Sequence, residues 1–126
     1  MRRLLVILGL VLVAQSSCIT PSIPIPPPDP SQMTFQLAGD VGNTTASFSY
    51  PANVNYEETV VFVFNRTKGI GVIETARPDG SVGPTAPVSA DLGNEMVISF
   101  QREDQTVSTC IKLREGAQSG NPPCGS

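Results

Sequence analysis

The sequence predicts an all-β domain, a small antiparallel β-sandwich of seven or eight short strands. Apolar segments that alternate with polar residues recur between turn residues from Met33 to Leu113. No stretch of this region sustains the 3.6-residue period of an amphipathic helix. The 126 residues include 11 glycines and 12 prolines but are only 15% charged. This composition is typical of short strands joined by tight turns.

The chain begins with a segment that reads as a signal peptide. Arg2 and Arg3 form a short positive region, and an uninterrupted apolar run follows over residues 4–14. Eleven helical residues at about 1.5 Å each would span roughly 17 Å, well short of a bilayer core of about 30 Å. We therefore expect residues 1–17 to be a cleaved signal peptide and not a membrane-spanning helix.

The residues after this run, Gln15-Ser16-Ser17-Cys18, resemble the lipobox of bacterial lipoproteins. The resemblance implies cleavage before Cys18 and lipidation of its sulfur. Gln15 departs from the aliphatic residue usual at that place, so cleavage after Ser16 by the ordinary signal peptidase stays open. The chain has three cysteines, an odd count that needs an explanation in an exported protein. Lipidation of Cys18 would leave the other two as one pair.

A proline-rich segment follows Cys18. Residues 19–31 contain six prolines, which favour extended polyproline II and disfavour a sheet interior. Thirteen such residues would reach on the order of 40 Å. We expect residues 18–31 to be a lipidated cysteine with a spacer, and residues 32–126 to be the β-sandwich domain. A proline-rich ligand for a recognition domain is the alternative for this spacer.

Alternation assigns the strands in order along the domain. In the first two, every second residue is apolar, which predicts one buried face in each. Thr59–Phe64 is apolar on both faces, as expected of a central strand. A hairpin around residues 65–68 connects it to the next strand, and Asp79-Gly80 marks a tight turn before Ser81-Val82. The expected strand segments are Met33–Leu37, Ala46–Tyr50, Thr59–Phe64, Gly69–Thr75, Ser81–Val82, Ala86–Ala90, Met96–Phe100 and Thr106–Leu113.

The stretch from Val61 to Phe100 resembles bacterial immunoglobulin-like and carboxypeptidase-regulatory-like modules. The matching features are Val61 and Val63 in a V-x-V strand, glycines in the following turn, an Asp79-Gly80-Ser81 turn, and Gly93-Asn94 before an apolar strand. These are features of turns and not of an active site. The resemblance implies an immunoglobulin-like sandwich in an exported protein, and it implies no particular activity.

Cys110 and Cys124 are the expected disulfide. Alternation places Val107, Thr109 and Ile111 on the core face of the last strand, so Cys110 should point outward. The polar tail could then cross the sheet and meet it as Cys124. Closing this loop would stabilise the domain by about 3 kcal/mol. The spacing is unlike Cys-x-x-Cys, which favours a structural bond over a redox-active one.

The sequence predicts no catalytic, cofactor-binding or metal-binding site. The chain has no His and no Trp, so the commonest general base and metal ligand are missing. Ser108 and Lys112 would lie about 13 Å apart on a strand, too far for proton transfer. The adjacent Glu57 and Glu58 would point to opposite sides. Gly69-Ile70-Gly71 precedes no helix and suits a hairpin better than a nucleotide site.

Other polar residues have simpler interpretations as turn residues. Asp79, Asp91 and Asp104 lack the spacing of a calcium loop, and aspartate is an ordinary turn residue. Asn43 and Asn65 stand in Asn-x-Thr sequences, which suit turns or strand edges in a bacterial protein. Without residues 1–17 the chain keeps six basic and eleven acidic side chains, a net charge of −5. This balance disfavours nucleic acid as a partner.

The predicted function is that of a lipid-anchored, non-catalytic binding or structural module. We expect it in the bacterial cell envelope, as an outer-membrane lipoprotein that faces the periplasm or the surface. The membrane would be contacted through the lipid on Cys18, and the expected partner is an envelope protein, since exposed aromatic residues that would suit a glycan are scarce. The alternative is a secreted soluble binding or inhibitor module without lipid.

Overall fold

The computed structural model describes residues 24–120 and Cys124, and it confirms the predicted β-sandwich. Eight strands form two antiparallel four-stranded sheets. The strands are β1 (Thr34–Ala38), β2 (Thr45–Ser49), β3 (Val60–Asn65), β4 (Ile70–Thr75), β5 (Val88–Ser89), β6 (Glu95–Arg102), β7 (Gln105–Lys112) and β8 (Gly116–Ala117). Two short 3-10 turns, Pro30–Gln32 and Val54–Tyr56, complete the elements.

The sheets have a simple strand order. The first sheet runs β5-β2-β1-β8 and the second runs β4-β3-β6-β7. The second sheet has β3 and β6 in its centre and the hairpin strands β4 and β7 at its edges, an order like that of C′, C, F and G in immunoglobulin sandwiches. Consecutive strands pair through short turns in β1–β2, β3–β4 and β6–β7.

The core lies between the sheets and is filled by alternate residues of the strands, as the sequence predicts. The strands β2, β3 and β6 bury every second side chain on their inner faces. The edge strands are less buried: Ile111 is buried in β7, and the side chains of β4 are half-buried or exposed. The aromatic rings gather toward one side, where Tyr56 stacks on Phe100 at 4.1 Å between ring centroids. The other large buried side chains include Met33, Phe35, Phe48, Val61, Val63, Met96, Ile98 and Ile111.

The prediction that Thr59–Phe64 is buried on both faces is only half right. β3 is central in its sheet, and Val61 and Val63 are buried in the core. Phe64, on the outer face, is 40% exposed. Among the described residues, no second layer covers that face. A strand can therefore be hydrogen-bonded on both sides within its sheet and still be buried on one face only. The predicted hairpin is confirmed, with its turn at residues 66–69 and not at 65–68.

The predicted strands at Ser81–Val82 and Ala86–Ala90 are shorter than expected. Val82 forms only an isolated bridge with Tyr50, and regular pairing is limited to Val88–Ser89. Pro84 and Pro87 have no amide hydrogen to give to a ladder. The Thr85 hydroxyl accepts the Phe48 amide at 3.0 Å and takes the place of a strand carbonyl.

The sandwich has two ends, which we name after one residue in each. The Asn65 end carries the β1–β2 and β3–β4 turns and the loops at 90–94 and 113–115. The Gln105 end carries the β6–β7 turn, the Val54–Tyr56 turn and the turn at 77–80, which is joined to Asn53 by a backbone bond to Asp79.

Residues 24–29, which we call the strap, lie against the domain, and this corrects the expectation of a free spacer over 18–31. Ile25 is 5% exposed, and the Ile25 amide donates to Gln105 Oε1 at 3.0 Å. The Tyr56 hydroxyl donates to the Pro26 carbonyl and the Thr109 hydroxyl to the Pro28 carbonyl. The sequence pattern could not reveal these partners, because they are distant along the chain. The spacer interpretation now concerns residues 18–23 only. These residues lie outside the described part, as do the signal peptide and Cys18.

The predicted Cys110–Cys124 disulfide is present. The two sulfur atoms are 1.93 Å apart and the Cα atoms 5.4 Å apart. Cys110 pairs in register with Val97 on the outer face of the second sheet, as alternation predicts. The Cys124 amide also donates to the Cys110 carbonyl. The bond therefore holds Cys124 against this face.

Within residues 24–120, no helix is long and apolar enough to cross a bilayer.

Candidate binding surfaces

The loops at the Asn65 end are organised by one buried amide. Asn65 is fully buried, and its Nδ2 donates to the Ser89 carbonyl and to Asn94 Oδ1. Asn65 Oδ1 accepts the Lys68 amide, and Asn94 Oδ1 also accepts the amide of Asp91. These bonds join the β3–β4 turn, β5 and the 90–94 loop, so the loops have a defined arrangement.

A concave surface, which we call the cup, opens at this end with a volume of about 590 Å³. Its rim carries Val41, which is fully exposed, and Leu92, which is 65% exposed. Both are aliphatic residues in turns, where small polar residues are usual. Exposed apolar side chains beside a cavity mark an interaction site more often than isolated ones do. The lining residues are Leu37, Ala38, Gly39, Val41, Gly42, Thr44, Asp91, Leu92 and Glu115.

The charged side chains that line the cup are both carboxylates, Asp91 and Glu115. Asp91 also forms an ion pair with Lys68 at 3.0 Å. A second ion pair, Arg66 with Glu95 at 2.7 Å, lies nearby at the same end. An aliphatic wall next to carboxylate oxygens suits a protein segment that presents an apolar side chain beside a basic one.

The outer face of the second sheet is another apolar surface. Phe62 and Ile73 face each other across β3 and β4, and Ile73 is 68% exposed. The Phe64 ring lies over Gly71, where a Cβ would come within 2.6 Å of the Val63 carbonyl and 3.2 Å of that ring. The glycine is therefore required by close packing. The crevice along these strands holds only about 240 Å³.

The residues considered for catalysis lie at separate places in the fold. The Ser108 hydroxyl is 2.6 Å from that of Ser99 on the neighbouring strand. Lys112 lies in register with Glu95, at the far end of β7 from the β6–β7 turn. Glu57 and Glu58 follow the Val54–Tyr56 turn, and Glu58 has a positive φ of 57°.

The three aspartates considered for calcium lie at different places. Asp91 is at the Asn65 end, whereas Asp79 and Asp104 are in separate turns at the Gln105 end. Asp79 Oδ1 accepts the Ser81 hydroxyl at 2.6 Å and the Ser81 amide at 2.9 Å. These bonds, the hydroxyl first, lower the pKa of Asp79 below its ordinary value. Asp79 thus stabilises its own turn.

One group of potential metal ligands occurs among the described residues. Ligand atoms of Glu95, Cys110 and Cys124 lie within 4.8 Å of one another. The two cysteines share a disulfide, so neither offers the thiolate that a metal would bind.

Gly69 and Gly71 belong to the β3–β4 hairpin and its edge strand. Of the two Asn-x-Thr sequences, that of Asn65 is buried and hydrogen-bonded, while Asn43 is exposed in the β1–β2 turn. The sequence pattern therefore placed Asn43 and the two hairpin glycines correctly, whereas Asn65 is the buried last residue of β3 and is not in a turn. The sequence pattern missed the cup, because a single Val or Leu in a turn gives no signal of exposure.

Comparison with known proteins identifies no relative: no family model matches this chain, and neither a curated protein nor a solved structure matches it. The resemblance to immunoglobulin-like and carboxypeptidase-regulatory-like modules therefore stays a prediction beyond the sandwich fold itself.

Proposed function

We propose that this protein is a lipid-anchored module of the bacterial cell envelope that binds a partner protein without catalysing a reaction. The lipid is carried by Cys18, and the partner is bound at the cup. The membrane is contacted through the lipid and not through a spanning helix.

The pairing of the cysteines is the observation that carries this proposal. The chain has three cysteines, and Cys110 and Cys124 are joined to each other. Cys18 therefore has no cysteine left to pair with inside the chain. A free exposed thiol is a liability in an oxidising compartment, and lipidation removes it. The apolar run and the small residues before Cys18 support the same conclusion.

The cup supports the binding role. Its two exposed aliphatic side chains, Val41 and Leu92, contribute little to the core. They can therefore contact a partner without any loss of stability of the fold. Burying both would release roughly 2–4 kcal/mol of hydrophobic free energy. Since Asp91 is already paired with Lys68, Glu115 is the lining carboxylate that favours a basic residue on the partner.

The first experiment is the intact mass of the mature protein from bacterial membranes. We expect a chain that starts at Cys18, carries acyl chains, and gains the mass of two hydrogen atoms on reduction. The matched variant Cys18→Ser should appear in the soluble fraction without acyl chains and with the disulfide intact. A native chain that begins at Ser17, without lipid, would overturn the anchor and establish the soluble alternative.

The second experiment tests the binding surface. A photo-crosslinking residue at position 41 or 92 should capture the same protein, while one at position 73, equally exposed and apolar, should not. The double variant Val41→Ser/Leu92→Ser should weaken binding of the captured protein by at least about tenfold, given the area lost. Equal crosslinking from position 73 would show non-specific apolar contact and reject the cup.

A further inference from the structure

The strap has the burial pattern of a bound polyproline II ligand. Within residues 24–29, Ile25 and Pro28 are buried, whereas the residues between them are exposed. Burial at every third residue is the period of polyproline II, which has three residues per turn. One face of the strap thus lies on the domain and the other faces solvent.

Side chains of the domain form hydrogen bonds with the backbone of the strap. Four of its six residues are prolines, so Ile25 and Asp29 supply its only amide donors. The Ile25 amide donates to Gln105 Oε1 at 3.0 Å, and the Asp29 amide donates to the Tyr50 hydroxyl at 3.1 Å. Both donors are therefore used.

The carbonyl groups of the strap are recognised in the same way. The Tyr56 hydroxyl donates to the Pro26 carbonyl at 2.8 Å, and the Thr109 hydroxyl donates to the Pro28 carbonyl at 2.6 Å. Aromatic side chains line the grooves that bind proline-rich peptides. Tyr56 is 1% exposed, and burial raises its pKa well above the ordinary value. The donor is thus kept protonated.

These contacts fix where the chain enters the domain. The strap runs alongside β7 in the same direction, since Ile25 meets Gln105 and Pro28 meets Thr109 four residues further on. Residue 24 therefore lies at the Gln105 end. The cup lies at the other end, about 27 Å away along an eight-residue strand.

We propose that the groove formed by Tyr50, Tyr56, Gln105 and Thr109 is a polyproline-binding site whose ligand is the chain's own strap, and that it turns the Gln105 end toward the membrane and the cup away from it. This orientation rests on the proposed lipid at Cys18. Residues 19–23 span at most about 18 Å, against roughly 40 Å for a free 13-residue spacer. The cup therefore meets a partner beyond the membrane surface.

Amide hydrogen exchange tests the groove in solution, without any membrane. In the chain that begins at Cys18, we expect the amides of Ile25 and Asp29 to be protected by at least about tenfold. The variants Tyr56→Phe and Thr109→Val each remove one hydroxyl and keep the side-chain shape. Each should lower both protections about fivefold. Ser108→Ala, next to Thr109 but on the outer face, is the matched control and should change neither.

Energy transfer on vesicles tests the orientation. Because Cys110 and Cys124 are paired, Cys18 can be coupled to a maleimide lipid in phosphatidylcholine vesicles that carry headgroup acceptor dyes. A donor dye on an azide-bearing residue at position 104 should transfer strongly, and one at position 41 weakly. In the double variant Tyr56→Phe/Thr109→Val the difference should shrink at least twofold, while Ser108→Ala should retain it.

Three results would overturn the inference. The first is that the amides of Ile25 and Asp29 are not protected from exchange. The second is that positions 41 and 104 of the native chain give equal energy transfer, and the third is that the double variant leaves the difference in energy transfer between these positions unchanged. Chemical coupling does not depend on acylation in the cell. A native protein found without lipid would therefore reject the proposed anchor while the exchange experiment still decided the groove.

Discussion

The two ends of the sandwich are closed in different ways. At the Gln105 end, the rings of Tyr50, Tyr56 and Phe100 lie within 5.5 Å of one another between centroids, and the strap lies over them. At the Asn65 end, a buried amide ties the loops together, and aliphatic side chains remain exposed at the rim. One end is completed by the chain itself, whereas the other is hydrogen-bonded within its loops but open.

The ends also differ in charge. At the Asn65 end, the acidic side chains of Asp91 and Glu95 are each paired with a basic one. The Gln105 end carries the carboxylates of Glu57, Glu58, Glu103 and Asp104. Its two cations, Arg77 and Arg102, donate to hydroxyl and carbonyl oxygens and not to these carboxylates. The net charge of the domain therefore lies mainly at the end that carries the strap.

Of the changes considered, removal of the strap should lower the free energy of unfolding most. A chain that begins at residue 30 loses the burial of Ile25 and the hydrogen bonds of Tyr56 and Thr109. We expect the free energy of unfolding to fall by about 3–5 kcal/mol, measured by urea denaturation. A chain that begins at residue 24 is the control and should match the longer protein. Equal stability of the two truncated chains would show that the strap is not part of the domain.

Reduction of the disulfide should have the next largest effect. Cys110 and Cys124 are separated by 14 positions, and the chain entropy that this loop removes corresponds to about 3 kcal/mol. Thermal unfolding with and without reductant measures this difference. The double variant Cys110→Ala/Cys124→Ala should have the melting temperature of the reduced protein, and reductant should not change it. A melting temperature that is the same in both conditions would refute a stabilising disulfide.

Loss of the buried amide should weaken the Asn65 end. Asn65→Ala leaves the Ser89 carbonyl and the Lys68 amide without their partner, which should cost about 2 kcal/mol. Asn43→Ala, in the exposed β1–β2 turn, should cost less than about 0.5 kcal/mol. Similar losses for the two variants, in urea denaturation, would mean that the network does not organise this end.

Alkaline pH should destabilise the Gln105 end through Tyr56. Its pKa is raised in the folded protein, so above pH 10 the unfolded chain loses a proton that the folded chain keeps. Stability from this residue is fully present below about pH 10 and falls above it by roughly 1 kcal/mol per pH unit. Tyr56→Phe should show a shallower decline of unfolding free energy between about pH 10 and 11. If the unfolding free energies of the native protein and of Tyr56→Phe declined equally with pH, Tyr56 would not be the residue responsible.

The ion pair at the Asn65 end should contribute least. The side chains of Lys68 and Asp91 are 30% and 47% exposed, so solvent screens their attraction. Lys68→Met should cost no more than about 0.5 kcal/mol, and the cost should vanish in about 1 M salt. A larger loss that persists in salt would indicate that the packing of the lysine stem, and not its charge, holds the loop.

The sequence predicted much of the fold because strand faces repeat every second residue. The alternation alone therefore assigns Phe35 and Phe48, or Val61 and Val63, to the buried face of their strands, even when the neighbouring strands are unknown. β8 could not be predicted, since Gly116-Ala117 is too short to show a pattern. The limits of β5 depended on prolines and on the Thr85 hydroxyl, whose partner Phe48 lies 37 positions away.

The binding surfaces were less predictable than the fold. The prolines of the strap read as a spacer because their recognition depends on Tyr56 and Thr109, which are far along the chain. The exposure of Val41 and Leu92 depends on how three loops meet. The cysteine pairing was predictable, since an odd count and an outward-facing strand position leave few choices.

The strap also bears on aggregation. β7 is an edge strand, and such edges readily recruit strands from other molecules. The strap contacts the Gln105 and Thr109 side chains of this strand, and a proline-rich segment with both of its amides already used cannot itself extend the sheet. At the other edge, β4 places the half-buried Glu74 opposite Val61 of the core face, and an inward-pointing charge there discourages strand addition. Strand addition to this sheet is therefore opposed at its β4 edge by a charge, and the strap beside β7 adds no new edge of its own.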